Sequence, residues 1–490
     1  MAARYVNRKV ARDEARRQIR GRQNSLAPTL SHGERKRGLL SPSTNEQANI
    51  PAMIPILNLS NSADRQRVEQ LLRNLRLDPV EVALCKGKLA EASASVAKIL
   101  ADVAQRGDDA IVDACRRFDD PNFSTDQIRV SHREMNDSMS RVSSDQLGAV
   151  RRSIAQVREY QSHIMPSSPP MLRRSGVELG LRFTPLGSAG LYFPGGHAAY
   201  PSSLIMLAAP AQVAGVKRIV VCTPPSKYGR SDLVLVACLE LGLTDVFRAG
   251  GAAAVGAMAF GTKTIPAVDK IVGPGNTYVQ LAKRLLAGAV GIDGYLGPSE
   301  IVVLADDSAR PDFIAADLLA QAEHDPGSCF LLTTSRRIAS AVVEQATAQL
   351  RARQRVEAIE SALRDSSAIV IDESMDKLID LANRFAAEHV NLQVKDEQAV
   401  LRRIMHGGAV FVGPYSPVAA GDYVAGPSHC LPTNTTARFT SGISVYEFLK
   451  RSSVVRYEQQ GLAADAPAII ALAEAEHLDA HAASVRVRLS

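Results

Sequence analysis

From residue 53 onward the apolar residues fall into two regular patterns. Between about 79 and 164 the spacing is helical, with Ser93, Val96, Ile99, Leu100 and Val103 recurring on related faces at intervals of three and four. After the proline-rich 166–170, short β-branched runs at 218–222, 270–272, 301–304, 329–333, 368–371 and 408–412 alternate with helical stretches, which predicts a layered α/β fold. A helix over 312–324 has a start at Pro311 and a stop at Asp325-Pro326-Gly327. The segment from about 465 onward is Ala-rich and reads as helix, and no repeat with a period of 20 to 50 residues is visible. Residues 1–52, rich in Arg, Ser and Gln, lack a periodic apolar pattern and read as a disordered basic extension, whose origin is an over-long start, a targeting segment or a tether.

With 490 residues, two or three domains are expected. The formal charge of +6 suggests a nucleic-acid partner only until its distribution is examined. Residues 1–52 hold eleven Lys and Arg against four acids, a net of +7, which leaves −1 for the rest. A neutral body removes the electrostatic argument for nucleic acid. The six cysteines (Cys85, Cys115, Cys222, Cys238, Cys329, Cys430) form no CxxC pair and read as reduced thiols. Apolar runs fall far short of the roughly 20 residues that span a bilayer, so a cytoplasmic location without membrane contact is expected.

Glycine turns at 194–196, 249–251 and 273–276 would let a backbone approach a phosphate, although none completes GxGxxG. Gln321 and His324, three apart near a predicted helix end, share a face and read either as polar side chains facing solvent or as two metal ligands, the amide being an unusual one. Asp422 lies in an irregular stretch after an apolar strand, as a displayed acid or an Asx turn, and His429 follows in the same loop. Glu388-His389 places an acid beside an imidazole, which could act as base and proton shuttle. In the last predicted helix His477 and His481, four apart, face the same way, while Glu476 and His481 are about 140° apart. The spacing leaves open which of them ligates.

Taken together, residues 190–206 (GLYFPGGHAAYPSSLIM), 250–262 (GGAAAVGAMAFGT), 268–276 (VDKIVGPGN), 297–300 (GPSE), 317–324 (DLLAQAEH), 387–390 (AEHV), 419–429 (AAGDYVAGPSH) and 475–481 (AEHLDAH) resemble the histidinol dehydrogenase family in content and order. The resemblance implies two incomplete Rossmann-like α/β domains of aldehyde/histidinol dehydrogenase type plus small helical dimerising segments. It implies one Zn2+ per subunit on Gln321, His324, Asp422 and His481, the last supplied across a domain-swapped homodimer, with His477 a bystander. Glu388 and His389 become the catalytic acid–base pair, and Tyr192 and Asn276 become NAD contacts. The substrate, L-histidinol, would meet Ser299, His429 and Glu476 as well as His389 and the metal ligands. Two successive hydride transfers would take it through the aldehyde to the carboxylate.

Three positions depart from the family pattern: Ala253 replaces a Gln that contacts the cofactor, Val418 a Glu, and Ala387 a Pro. The expected organisation is a basic extension (1–52), a helical segment with the first part of α/β domain 1 (53–185), α/β domain 2 with the cofactor turns (186–298), the rest of domain 1 with the zinc and acid–base residues (299–435), and a swapped helical segment (436–490). A relative oxidising a sulfonated diol would be expected to carry a basic residue in place of Glu476. A silent binding protein would not need Glu388 and His389, and a zinc hydrolase would not need Tyr192 and Asn276.

Overall fold

Parallel strands covered on both faces read as unbroken apolar runs, and two of the runs above are buried at every position, Gly327–Thr333 and Ala368–Ile371. The computed structural model describes residues 53–80, 88–195, 199–294, 297, 299–324 and 327–490. The basic extension 1–52, Cys85, Gly196, Pro298 and the Asp325-Pro326 stop lie outside the described residues. In chain order the strands are β1 (Ile56–Asn58), β2 (Leu172–Arg174), β3 (Val177–Pro185), β4 (Ser188–Tyr192), β5 (Arg218–Thr223), β6 (Asp245–Arg248), β7 (Lys270–Val272), β8 (Gly291–Ile292), β9 (Ser299–Ala305), β10 (Gly327–Thr333), β11 (Ala368–Ile371), β12 (His389–Gln393), β13 (Ala409–Val412) and β14 (Leu449–Tyr457).

Six strands form a parallel sheet in the order β1-β11-β10-β9-β12-β13, and five form another in the order β6-β5-β4-β7-β8. Each is covered on both faces. Leu191 and Val272 pack under the Pro201–Ala214 helix on one side of the five-stranded sheet, while Val220 and Ile271 meet the Lys88–Arg106 and Gly251–Phe260 helices on the other. In the six-stranded sheet Ile301 and Leu331 lie against Pro311–Ala322 and Arg336–Leu350, and Val302 and Phe330 against Ser62–Leu75 and Met375–Phe385. The predicted α/β layering is therefore present.

Strand order reverses once in each parallel sheet, between β4 and β7 and between β9 and β12. Outward-running connections leave a crevice at such a point, outside the carboxyl ends of the strands.

Some elements escape the periodicity. β2, β3 and β14 form an antiparallel ribbon, β14 pairing with β3 along all nine of its residues. Thus the 436–490 segment, read as helical, contains a nine-residue strand ahead of its α-helices. The single terminal helix expected from about 465 is two, Gln459–Ala475 and Asp479–Arg486, because His477 takes a left-handed φ of 59° between them. His477 and His481 therefore do not share a helical face. Among the described residues no helix is long and apolar enough to cross a membrane.

Candidate active site

The predicted acid–base residues gather at the amino ends of β9 and β12, which pair in parallel with His389 beside Ile301. Ser299 is the first residue of β9 and His389 the first of β12, with Glu388 just before it. The Met375–Phe385 helix delivers them: it ends on Ala386 at φ 43°, whose N–H returns to Ala382 O, and the chain turns straight into the sheet. Gln321 arrives from the last turn of Pro311–Ala322, buried, while His324 lies beyond the C-cap Glu323 and is exposed. The helix ends two residues short of the predicted His324, whose N–H bonds to Gln321 O at 3.2 Å in a closing turn. Asp422 belongs to neither an irregular loop nor an Asx turn. It sits in a short helix, Val418–Tyr423, packed so tightly on β13 that a Cβ on Gly421 would lie 2.7 Å from the Phe411 ring.

A hydrogen-bond chain runs through this cluster. Gln321 Nε2 donates to Ser299 Oγ at 2.5 Å, Ser299 Oγ donates to Glu388 Oε2, and the Glu300 N–H donates to the same oxygen at 3.3 Å. With its Nε2 so used, Gln321 keeps Oε1, the amide atom able to ligate a cation. Burial drives the Glu388 carboxyl well above the usual carboxylate range; the neighbouring Glu300 and Asp422 push the same way, and the Ser299 bond opposes them. Burial likewise raises Glu300 to about 8 and Asp422 to about 6.

His389 is 3% exposed and lies 3.7 Å from Glu388 Oε2 and 3.9 Å from Asp422 Oδ1, too far for a hydrogen bond to either. Both ring nitrogens are buried without a partner. Burial, reinforced by His324 and His429, lowers its pKa to about 3, so the ring is neutral. Unpartnered buried polar atoms cost free energy, and here two of them sit beside a carboxyl whose pKa burial raises.

His429 is held from both sides. Its Nδ1 lies 2.8 Å from Asp422 O and its Nε2 2.9 Å from Ser203 Oγ, near the start of the Pro201–Ala214 helix. That helix follows β4, so the bond ties the carboxyl end of the five-stranded sheet to the cluster at the amino end of the six-stranded one. Ser203 and Glu300 were not picked out by sequence reasoning, although both lie inside the quoted motifs. A lone serine in a helix or glutamate in a strand has no local signature.

Tyr192 ends β4, and Gly273 follows β7, the two strands that flank the order reversal of the five-stranded sheet. Tyr192 is buried, its hydroxyl accepting the Gly251 N–H at 3.2 Å. Asn276 is exposed and caps the Thr277–Leu286 helix, its Oδ1 accepting from Tyr278 N and Val279 N. The capping leaves its NH2 as a donor. The two predicted cofactor residues thus lie at or just beyond the carboxyl ends of the strands that flank the order reversal. Ala253 is buried in the apolar packing beneath.

Glu476 and His481 are not part of the cluster in this chain. Both are exposed, Glu476 capping the end of Gln459–Ala475 and His481 within Asp479–Arg486; these helices pack on each other, and the first packs on β14. Among the described residues no group of three or more His, Cys, Asp and Glu could hold a metal. An amide oxygen, an imidazole and a carboxylate from Gln321, His324 and Asp422 suit zinc in kind and fall one short of four donors in number.

The histidinol dehydrogenase family model matches residues 85–489. Histidinol dehydrogenase of Geobacillus kaustophilus (strain HTA426) is 46% identical over 397 residues, covering 81% of this chain and 93% of its own length. The Bacillus subtilis (strain 168) enzyme is 46% identical over 396 residues, covering 80% and 92%. The crystal structure of histidinol dehydrogenase from Elizabethkingia anophelis superposes with a TM-score of 0.82 at 33% identity, covering 89% of this chain and 98% of that one. A family match across both sheets and the Ser299–Glu388–His389 cluster, with relatives aligned over nearly their whole length, identifies the chain as an oxidoreductase belonging to the histidinol dehydrogenase family.

Proposed function

We propose that this enzyme carries out the zinc-dependent, NAD-linked, four-electron oxidation of L-histidinol to L-histidine through L-histidinaldehyde, the last steps of histidine biosynthesis. The observation that carries the reading is the buried Gln321–Ser299–Glu388 chain beside an unpartnered, neutral His389. Gln321, His324, Asp422 and His481 of the partner subunit would hold zinc, which would supply a Lewis acid for the imidazole and amino nitrogens of the substrate, and Tyr192 and Asn276 would hold NAD, which would supply the hydride acceptor.

The protein's own groups handle protons and orientation. Neutral His389 accepts the hydroxyl proton as the first hydride leaves, giving aldehyde, NADH and one proton. Glu388, a strong base once ionised because burial raises its pKa, takes a proton from water as it adds to the aldehyde carbon. The second hydride then leaves the hydrated aldehyde, giving carboxylate, NADH and two protons. Ser299 and His429 orient the substrate, and Glu476 of the partner subunit pairs with its amino group.

The test is stoichiometry. Protein supplied with zinc, NAD and L-histidinol should form two NADH and one L-histidine per substrate consumed, lose activity on chelation and regain it with zinc. One NADH per substrate, or full activity after exhaustive chelation, would contradict the reading.

A further inference from the structure

The turn at 273–276 is held by two charges that the reaction leaves unused. Lys283, in the Thr277–Leu286 helix that the turn opens, and Asp293, in the connection from β8 to β9, are both buried and pair at 2.5 Å. Asp293 Oδ2 accepts the Gly273 N–H at 2.6 Å, and Lys283 Nζ donates to Gly273 O at 3.0 Å. The two side chains thus close a ring through both backbone groups of one glycine. Gly273 has a φ of +123°, and a Cβ there would collide with Tyr192 O, so the position admits only the residue with the widest backbone freedom. It is also the residue that packs β7 onto Tyr192.

A buried ion pair is a poor source of stability, since the desolvation of both charges offsets their attraction. What it provides is geometry: each charge demands its partners at fixed positions. Here those partners are the backbone of the turn that ends at Asn276. Asp293 also lies in the segment that leads on to Ser299, so the clamp joins the cofactor side to the strand that opens the acid–base cluster.

We propose that Lys283 and Asp293 are positioning residues for the cofactor, locking Gly273 so that Tyr192 and Asn276 are preset for NAD. The proposal rests on the NAD reading above. Preorganisation of this kind raises affinity by removing the cost of ordering the turn on binding.

The test measures NADH affinity by fluorescence titration and thermal stability for the full-length protein, Asp293→Asn and the double variant Lys283→Met/Asp293→Asn. Asp293→Asn should weaken NADH binding by about tenfold or more while the L-histidinol KM at saturating NAD stays within about twofold. The double variant, with no uncompensated buried charge, should recover the wild-type Tm without recovering NADH affinity. NADH affinity within about twofold of wild type in the double variant overturns the proposal and leaves the pair a structural one. Should Asp293→Asn not fold, the double variant decides alone. A wild-type protein that binds no NADH defeats the cofactor reading itself, and this proposal with it.

Discussion

Glu388 is a carboxyl whose pKa is raised, first by burial and then by two acidic neighbours. Glu388→Gln preserves its shape and removes its base, and kcat should fall by about 10²–10⁴-fold with the NAD KM little changed, as steady-state kinetics would show. Glu300 carries a different consequence. Its pKa is raised from 4.5 to about 8 by burial, so the folded state holds its proton more tightly than the unfolded chain. The resulting stability is fully present below pH 4.5 and is lost as pH rises towards 8, a difference on the order of 5 kcal/mol. Glu300→Gln should therefore raise the denaturation midpoint at pH 8 and leave it nearly unchanged at pH 4.5; equal effects at both would contradict the assignment. At this scale the sequence was legible wherever several residues matched a motif together. It was not legible for Lys283 and Asp293, ten positions apart, whose partnership arises only because the Thr277–Leu286 helix and the β8–β9 connection both come back to Gly273.

Elements with one dominant physical cause were read correctly. Runs buried on both faces, such as 329–333 and 368–371, could only be interior strands, and the proline start at 311 fell where the helix begins. β14 was missed because its seven inner positions are all exposed, so no apolar alternation marks it; its full-length pairing with β3 makes it a strand. The break at His477 was missed because left-handed backbone at a non-glycine residue is set by the packing of the two helices it joins. The same strain occurs at Ala386 (φ 43°) and at Thr435 (φ 61°), where a β-branched side chain is especially disfavoured. Ala386→Gly and Thr435→Gly should each stabilise the fold by about 1 kcal/mol, seen as a higher urea midpoint at unchanged slope. No gain at either site would mean that lost side-chain contacts outweigh the relieved strain.

In the whole molecule, two parallel sheets present opposite ends to one centre: the carboxyl end of β4 and the amino ends of β9 and β12, joined by Ser203 and His429. In the proposed site the chain does not complete that centre alone. Glu476 and His481 lie on C-terminal helices that expose Leu472, Leu478 and Val487, next to a ribbon that exposes Val455, a surface suited to a second subunit. The order of motifs along the sequence carries no information on which copy supplies each proposed ligand, so the assignment of His481 to a partner rests on resemblance alone. The claim that two chains build one active site is tested most directly by complementation. Glu388→Gln and His481→Ala should each be nearly inactive, and equal amounts, dissociated and reassociated together, should recover about a quarter of wild-type activity, since half the dimers are mixed and each mixed dimer has one intact site. Recovery at that level is the predicted result; no recovery in verified mixed dimers would place His481 in its own chain's site and contradict the account.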